Sequence, residues 1–73
     1  MFDAKQMRTL RERRKMTVME LAVALSNIGH PRSLPTIRTW EKGKVQPRAD
    51  DLIALAQVFG VKVLTLLILA PET

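Results

Sequence analysis

The chain contains no cysteine, which excludes disulfide staples and thiolate metal sites and fits a reducing compartment such as the cytoplasm. It has a single histidine, His30, too little to build an imidazole metal cage. Neither a GxxxxGK nor a GxGxxG phosphate loop occurs. The expectation is therefore a protein that is not an enzyme and uses no cofactor or metal. Long apolar runs are also lacking. The longest, "VLTLLILA", falls well short of the roughly 20 residues that span a bilayer, so no membrane partner is expected. The opening "MFDAKQMRTLRERR" has no apolar h-region and does not read as a signal peptide.

What remains is 73 residues, the length of one small domain, read here as a single unit over 1–73. A chain of this size buries only about 60% of its unfolded surface, so its core is marginal. The net charge is +5 and unevenly spread: residues 1–48 hold 11 Lys/Arg against 4 Asp/Glu, and residues 49–73 hold 1 against 3. A basic two-thirds joined to a weakly acidic end implies one face that meets a polyanion and another with a different task. Solubility alone is the plainer reading of a basic small domain.

Turn residues divide the chain into five short helical segments. "DAKQMRTLRERR" has Asp3 as a cap, Met7 and Leu10 pointing inward, and basic residues where the C-terminal dipole favours them. "TVME" is a capping box, Thr17 with Glu20 three residues on, and it opens the apolar series Val18, Leu21, Ala22, Leu25, Ile28 before Gly29 and Pro31. "SLPTIRTWEKGKVQP" supplies a third helix with Ile37 and Trp40 on one side, stopped by Gly43. "ADDLIALAQVFG" carries Asp50 and Asp51 in its first turn and Leu52, Leu55, Ala56 and Phe59 on one face. "VKVLTLLILAP" has β-branched residues that permit a strand, but its position favours a short fifth helix. The expected fold is a compact all-α domain. Its core candidates are Met7, Leu10, Leu21, Ala22, Leu25, Ile37, Trp40, Leu52, Leu55, Ala56, Phe59, Val61, Val63 and Leu66.

With Ile37 and Trp40 inward, the third helix presents Thr36, Arg38 and Thr39 outward, with Lys42 and Lys44 just beyond. None is acidic. Arginine can fork onto guanine and threonine can offer a hydroxyl or a methyl, the chemistry a major groove accepts. Lys42 and Lys44 suit phosphates, which give affinity and register rather than sequence choice. An amphipathic helix with a solvated basic face is the plainer alternative.

In order, "MRTLRERRKMT", "MELA", "TIRTWEKGKVQP", "LIALAQVFGV" and "LTLL" resemble the phage repressor and Cro type of helix-turn-helix domain, the XRE-like family. The likeness covers roughly residues 3–69. It implies a five-helix, lambda-repressor-like domain whose second and third helices form the reading unit, inserting helix 3 (about 34–42) into the major groove of double-stranded DNA. It further implies a homodimer on a two-fold operator and a cytoplasmic setting in a prokaryote or phage. Carried over by residue, Arg11 stands where the family pairs an arginine with the glutamate at Glu41, a structural ion pair. Gly43 stands where the chain turns off the recognition helix.

Four departures shape the expectations. Val18 sits where the family usually has a polar phosphate-binding residue, often glutamine, so Thr17 or main-chain N–H groups must anchor the second helix. The stretch between Leu21 and Glu41 runs about five residues longer than the usual pattern, within "SNIGHPRS": the second helix gains a turn, or the link becomes a real loop that brings His30 and Arg32 toward the DNA, and both are expected. Arg32 and Ser33 are then expected phosphate contacts, and His30 a loop residue rather than a pH switch. Leu34 and Pro35 occupy the front of the recognition helix; they can touch bases only through thymine methyls, and Ser33 or Leu34 must serve as the cap. Lastly, the apolar segment 63–70 exceeds what capping a small domain requires. Leu64, Ile68 and Leu69 are the expected dimer or partner interface.

These readings converge on a sequence-specific DNA-binding transcriptional regulator, a repressor acting by occupancy. The competing readings are the antitoxin of a toxin–antitoxin pair with the same fold, and a protein-interaction module that has lost DNA reading. Val18, Leu34 and Pro35 would be symptoms of the last.

Overall fold

The computed structural model describes residues 2–67. Four α-helices follow one another: α1 (Ala4–Arg13), α2 (Val18–Asn27), α3 (Leu34–Glu41) and α4 (Ala49–Phe59), with a 3₁₀ turn at Val63–Leu66. Each start has a local cause. Asp3 accepts the Gln6 N–H at 3.0 Å to cap α1. Thr17 and Glu20 form the reciprocal capping box at α2, with both bonds present. Ser33 caps α3, and Leu34 is already helical despite the proline after it. The last is a finding against the steric bias that a following proline imposes.

The stops are equally local. In α2, the N–H of Gly29 reaches Ser26 O and that of His30 reaches Leu25 O; in α3, Gly43 reaches Trp40 O and Lys44 reaches Thr39 O. Both pairs have the Schellman pattern, which needs a left-handed residue at its turning point. Gly29 and Gly43 supply it, at φ +80° and +73°. The two turns flank α3 and fix where its exposed face begins and ends.

The core gathers one side of every helix: Met7 and Leu10 from α1, Leu21 and Leu25 from α2, Ile37 and Trp40 from α3, and Ala54, Leu55, Ala56 and Phe59 from α4. Leu66 and Phe2 close it. Of the expected core, Ala22, Leu52, Val61 and Val63 are only half-buried and pack at its edge.

The expected fifth helix is a correction. Among the described residues the segment forms one 3₁₀ turn, after which Leu67 is extended and makes an isolated antiparallel bridge to Phe2. The Asp3 N–H donates to Leu66 O at 2.7 Å. The two ends of the described chain meet here, and the pairing of Leu67 with Phe2, beside buried Phe2 and Leu66, takes the place of a further helical turn. Leu64 faces solvent at 61% exposure, while Ile68 and Leu69 lie outside the described residues.

Candidate nucleic-acid interface

The α3 helix is two-faced. Ile37 and Trp40 are buried, whereas Arg38 is exposed and Thr36 and Thr39 are half-buried beside it. At its front Pro35 is exposed and Leu34 half-buried; at its rear Lys42 and Lys44 are exposed. Arg38, Lys42 and Lys44 make no ion pair among the described residues. Their charge is therefore directed outward and available to a polyanion.

The threonines are less free than their exposure implies. Thr39 Oγ1 donates its one proton to Thr36 O at 2.6 Å, so toward solvent it offers lone pairs and a methyl but no donor. Thr36 Oγ1 shares a 2.8 Å hydrogen bond with Ser33 Oγ. As α3 stands, Arg38 is its principal outward donor, and Thr39 suits an exocyclic amine or a thymine methyl. Thr17 is exposed and its hydroxyl oxygen accepts the Glu20 N–H at 3.1 Å, which leaves its O–H proton to donate outward.

Two clusters of charge hold α3 from behind. At its C-terminal end, Arg11 Nε and Nη2 fork onto Glu41 Oε2 and Oε1 at 2.6 and 3.1 Å, and Nη1 donates to Met16 O at 2.7 Å. Both side chains are largely buried, at 12% and 9% exposure. The hydrogen bond to Glu41 leads the effects that raise the Arg11 pKa above its ordinary value. The pair joins α1, the α1–α2 turn and α3.

The second cluster was only partly legible. Asp51, buried in the first turn of α4, receives His30 Nε2 at 2.6 Å and Arg32 Nε at 2.9 Å on Oδ1, and the Arg48 N–H at 3.0 Å on Oδ2. Arg32 also lies 3.8 Å from Asp50 Oδ2 and donates to Pro31 O. The guanidinium expected to meet a phosphate is thus engaged within the protein, and His30 lies in the α2–α3 loop as expected but with its ring turned onto Asp51. Sequence spacing held the signal: Asp51 precedes Leu55 and Phe59 by four and eight residues, which places it on the core stripe of α4.

His30, Asp50 and Asp51 offer ligand atoms within 4.8 Å of one another. The positive charge in that cluster comes from Arg32, and Asp51 has both oxygens engaged, so the donor set describes an ion-pair cluster better than a cation cage.

Burial opposes the Asp51 charge, but hydrogen bonds from His30 and the Arg48 N–H, together with Arg32, prevail and hold its carboxyl below the ordinary value. A depressed carboxylate contributes stability that is fully present above its unfolded pKa, about 3.9, and is lost as pH falls through the folded value. Unfolding measured against pH should therefore show wild type losing stability more steeply than Asp51→Asn below about pH 4. Parallel curves would contradict the assignment.

The profile of a family described as "helix-turn-helix domain" matches residues 4–66, from the start of α1 to the end of the 3₁₀ turn. Comparison with curated proteins and with solved structures returned no significant match.

Proposed function

The chain belongs to the helix-turn-helix family, and from that premise we propose that it is a sequence-specific DNA-binding transcriptional regulator of the lambda-repressor-like type. It inserts α3 into the major groove and represses by occupying its operator. The observation that carries this reading is the exposed Arg38, without an ion-pair partner among the described residues, set between two half-buried threonines on a helix whose opposite face is locked into the core. Such a ridge is cationic and convex, which is what a groove about 12 Å wide admits. Arg38, Thr36 and Thr39 read base edges, Leu34 and Pro35 pack on thymine methyls, and Thr17, Ser33, Lys42 and Lys44 meet phosphates.

Selection of duplexes from a random pool tests the proposal. One enriched sequence is the expected result; retention of the pool without enrichment would contradict sequence-specific reading.

The regulator acts as a homodimer on a two-fold site in the cytoplasm of a prokaryote or phage-infected cell. Leu64, exposed on the 3₁₀ turn beside the Phe2–Leu67 bridge, supports a contact there. Leu64→Asp should convert a dimer to a monomer in sedimentation equilibrium. The same mass before and after substitution removes this interface.

A further inference from the structure

The C-terminal half of α3 is anchored twice, by buried Trp40 and by the Glu41–Arg11 fork. Its first turn has no such anchor. Before Ile37 no α3 side chain is buried, and the Ser33 cap accepts the Thr36 N–H at a long 3.4 Å. A helix end with few buried contacts opens easily, yet this end leads toward the bases in the proposed mode. The residue preceding the cap is Arg32, and it is tied to α4.

We infer that Asp51 is a positioning residue for the recognition helix: by holding His30 and Arg32 it fixes the path of residues 28–33, and through them the orientation of the first turn of α3. The inference rests on the DNA-reading proposal for its consequence and on geometry for its mechanism. Asp51 suits the role because it is itself held. It is buried at 5% exposure, sits in the first turn of α4, and accepts the Arg48 N–H through the oxygen that faces neither His30 nor Arg32. The lengthened connection between α2 and α3 would otherwise be a loose link, since longer loops leave more conformations open to the chain. The cluster turns that link into a strut. Arg11–Glu41 and Arg32–Asp51 then hold the two ends of one short helix from α1 and α4, before and after buried Ile37 and Trp40 along the chain.

The test uses the full chain with a duplex recovered from the random pool and a scrambled duplex of equal composition. Asp51→Asn keeps an oxygen for the Arg48 N–H while weakening the hold on His30 and Arg32. It should lower the ratio of the two affinities roughly tenfold, within the range of couplings between contacting groups. The salt dependence should not change, because no phosphate contact is lost. His30→Ala should lower the ratio too, and His30→Gln, whose amide N–H can reach the same carboxylate, should restore most of it. Arg32→Ala placed on Asp51→Asn should add little, since both break one contact.

If Arg32 instead serves DNA directly and Asp51 merely competes for it, Asp51→Asn will raise affinity for both duplexes and steepen the salt slope, which overturns the positioning role. An unchanged ratio in both Asp51→Asn and His30→Ala overturns it as well. Amide exchange of the free protein supplies a readout independent of DNA: the Ile37 and Arg38 amides should exchange faster in Asp51→Asn while the Lys42 amide does not. Equal protection at Ile37 and Arg38 refutes the strut. A wild type without sequence preference would defeat the DNA-reading proposal and leave the exchange result to decide this one.

Discussion

Arg11→Ala is expected to cost about 3–5 kcal/mol of folding free energy, because it leaves Glu41 charged, largely buried and unpaired. The mirror substitution Glu41→Ala should cost about as much, stranding the guanidinium instead. Small domains have only about 5–15 kcal/mol in hand, and a chain of 73 residues sits toward the lower end because it buries proportionately little surface. Either change therefore brings the protein near unfolding at physiological temperature. Replacing both partners, as in Arg11→Met with Glu41→Leu, should recover much of the loss, since a buried pair and a well-packed apolar pair are often of similar stability. Urea unfolding of wild type and the three variants measures these losses and the recovery. Single losses under about 1 kcal/mol would show that the pair behaves like a surface salt bridge and does not anchor α3.

The second large effect concerns recognition. Arg38→Ala should reduce discrimination between the selected site and single-base variants by about 1–3 kcal/mol at the position it reads. Stability should hold within about 0.5 kcal/mol, as is usual for an exposed substitution. Lys42→Ala and Lys44→Ala should do the reverse: base preference is preserved, all sequences bind more weakly, and the dependence of log K on log salt becomes shallower by about 0.9 for each phosphate contact removed. Titrations at several salt concentrations with matched and mismatched duplexes separate the two behaviours. Equal loss on all sequences for Arg38→Ala would reassign it to the phosphate backbone.

Much of this arrangement could be read from local sequence, and the reasons are local too. Asp3, Thr17 with Glu20, and Ser33 announce helix starts through short-range hydrogen bonds; Gly29 and Gly43 announce stops through a backbone conformation that other residues resist. The apolar spacing of Leu21 with Leu25 and of Ile37 with Trp40 set the inner face of α2 and α3, and so determined which side chains of α3 point outward. The Arg11–Glu41 pair, thirty positions apart, followed from family resemblance and not from any local rule.

What escaped the sequence depended on distant segments. Whether the stretch after Val61 continues as helix is decided by Phe2, which offers the other side of a bridge far away along the chain. The hold on Arg32 and His30 was hidden because their partner lies in another helix, and Asp51 read as a dipole acid because acidic first turns are common. Its place on the apolar stripe of α4 marked it as buried, and a buried carboxylate requires partners. The donor budget of the threonines was also hidden, since the Thr39 bond to Thr36 O is a matter of rotamer.

Recognition in this mode requires the outward face of α3 to lie against base edges in the wide groove. Dimethyl sulfate interference on the selected duplex tests this directly, because the reagent methylates guanine N7 in the major groove and adenine N3 in the minor groove. Methyl groups on guanine N7 within the site should abolish binding by wild type, and Arg38→Ala should lose that sensitivity at one guanine in each half-site. Interference confined to adenine N3, or none at all within an otherwise protected site, would contradict entry of α3 into the major groove.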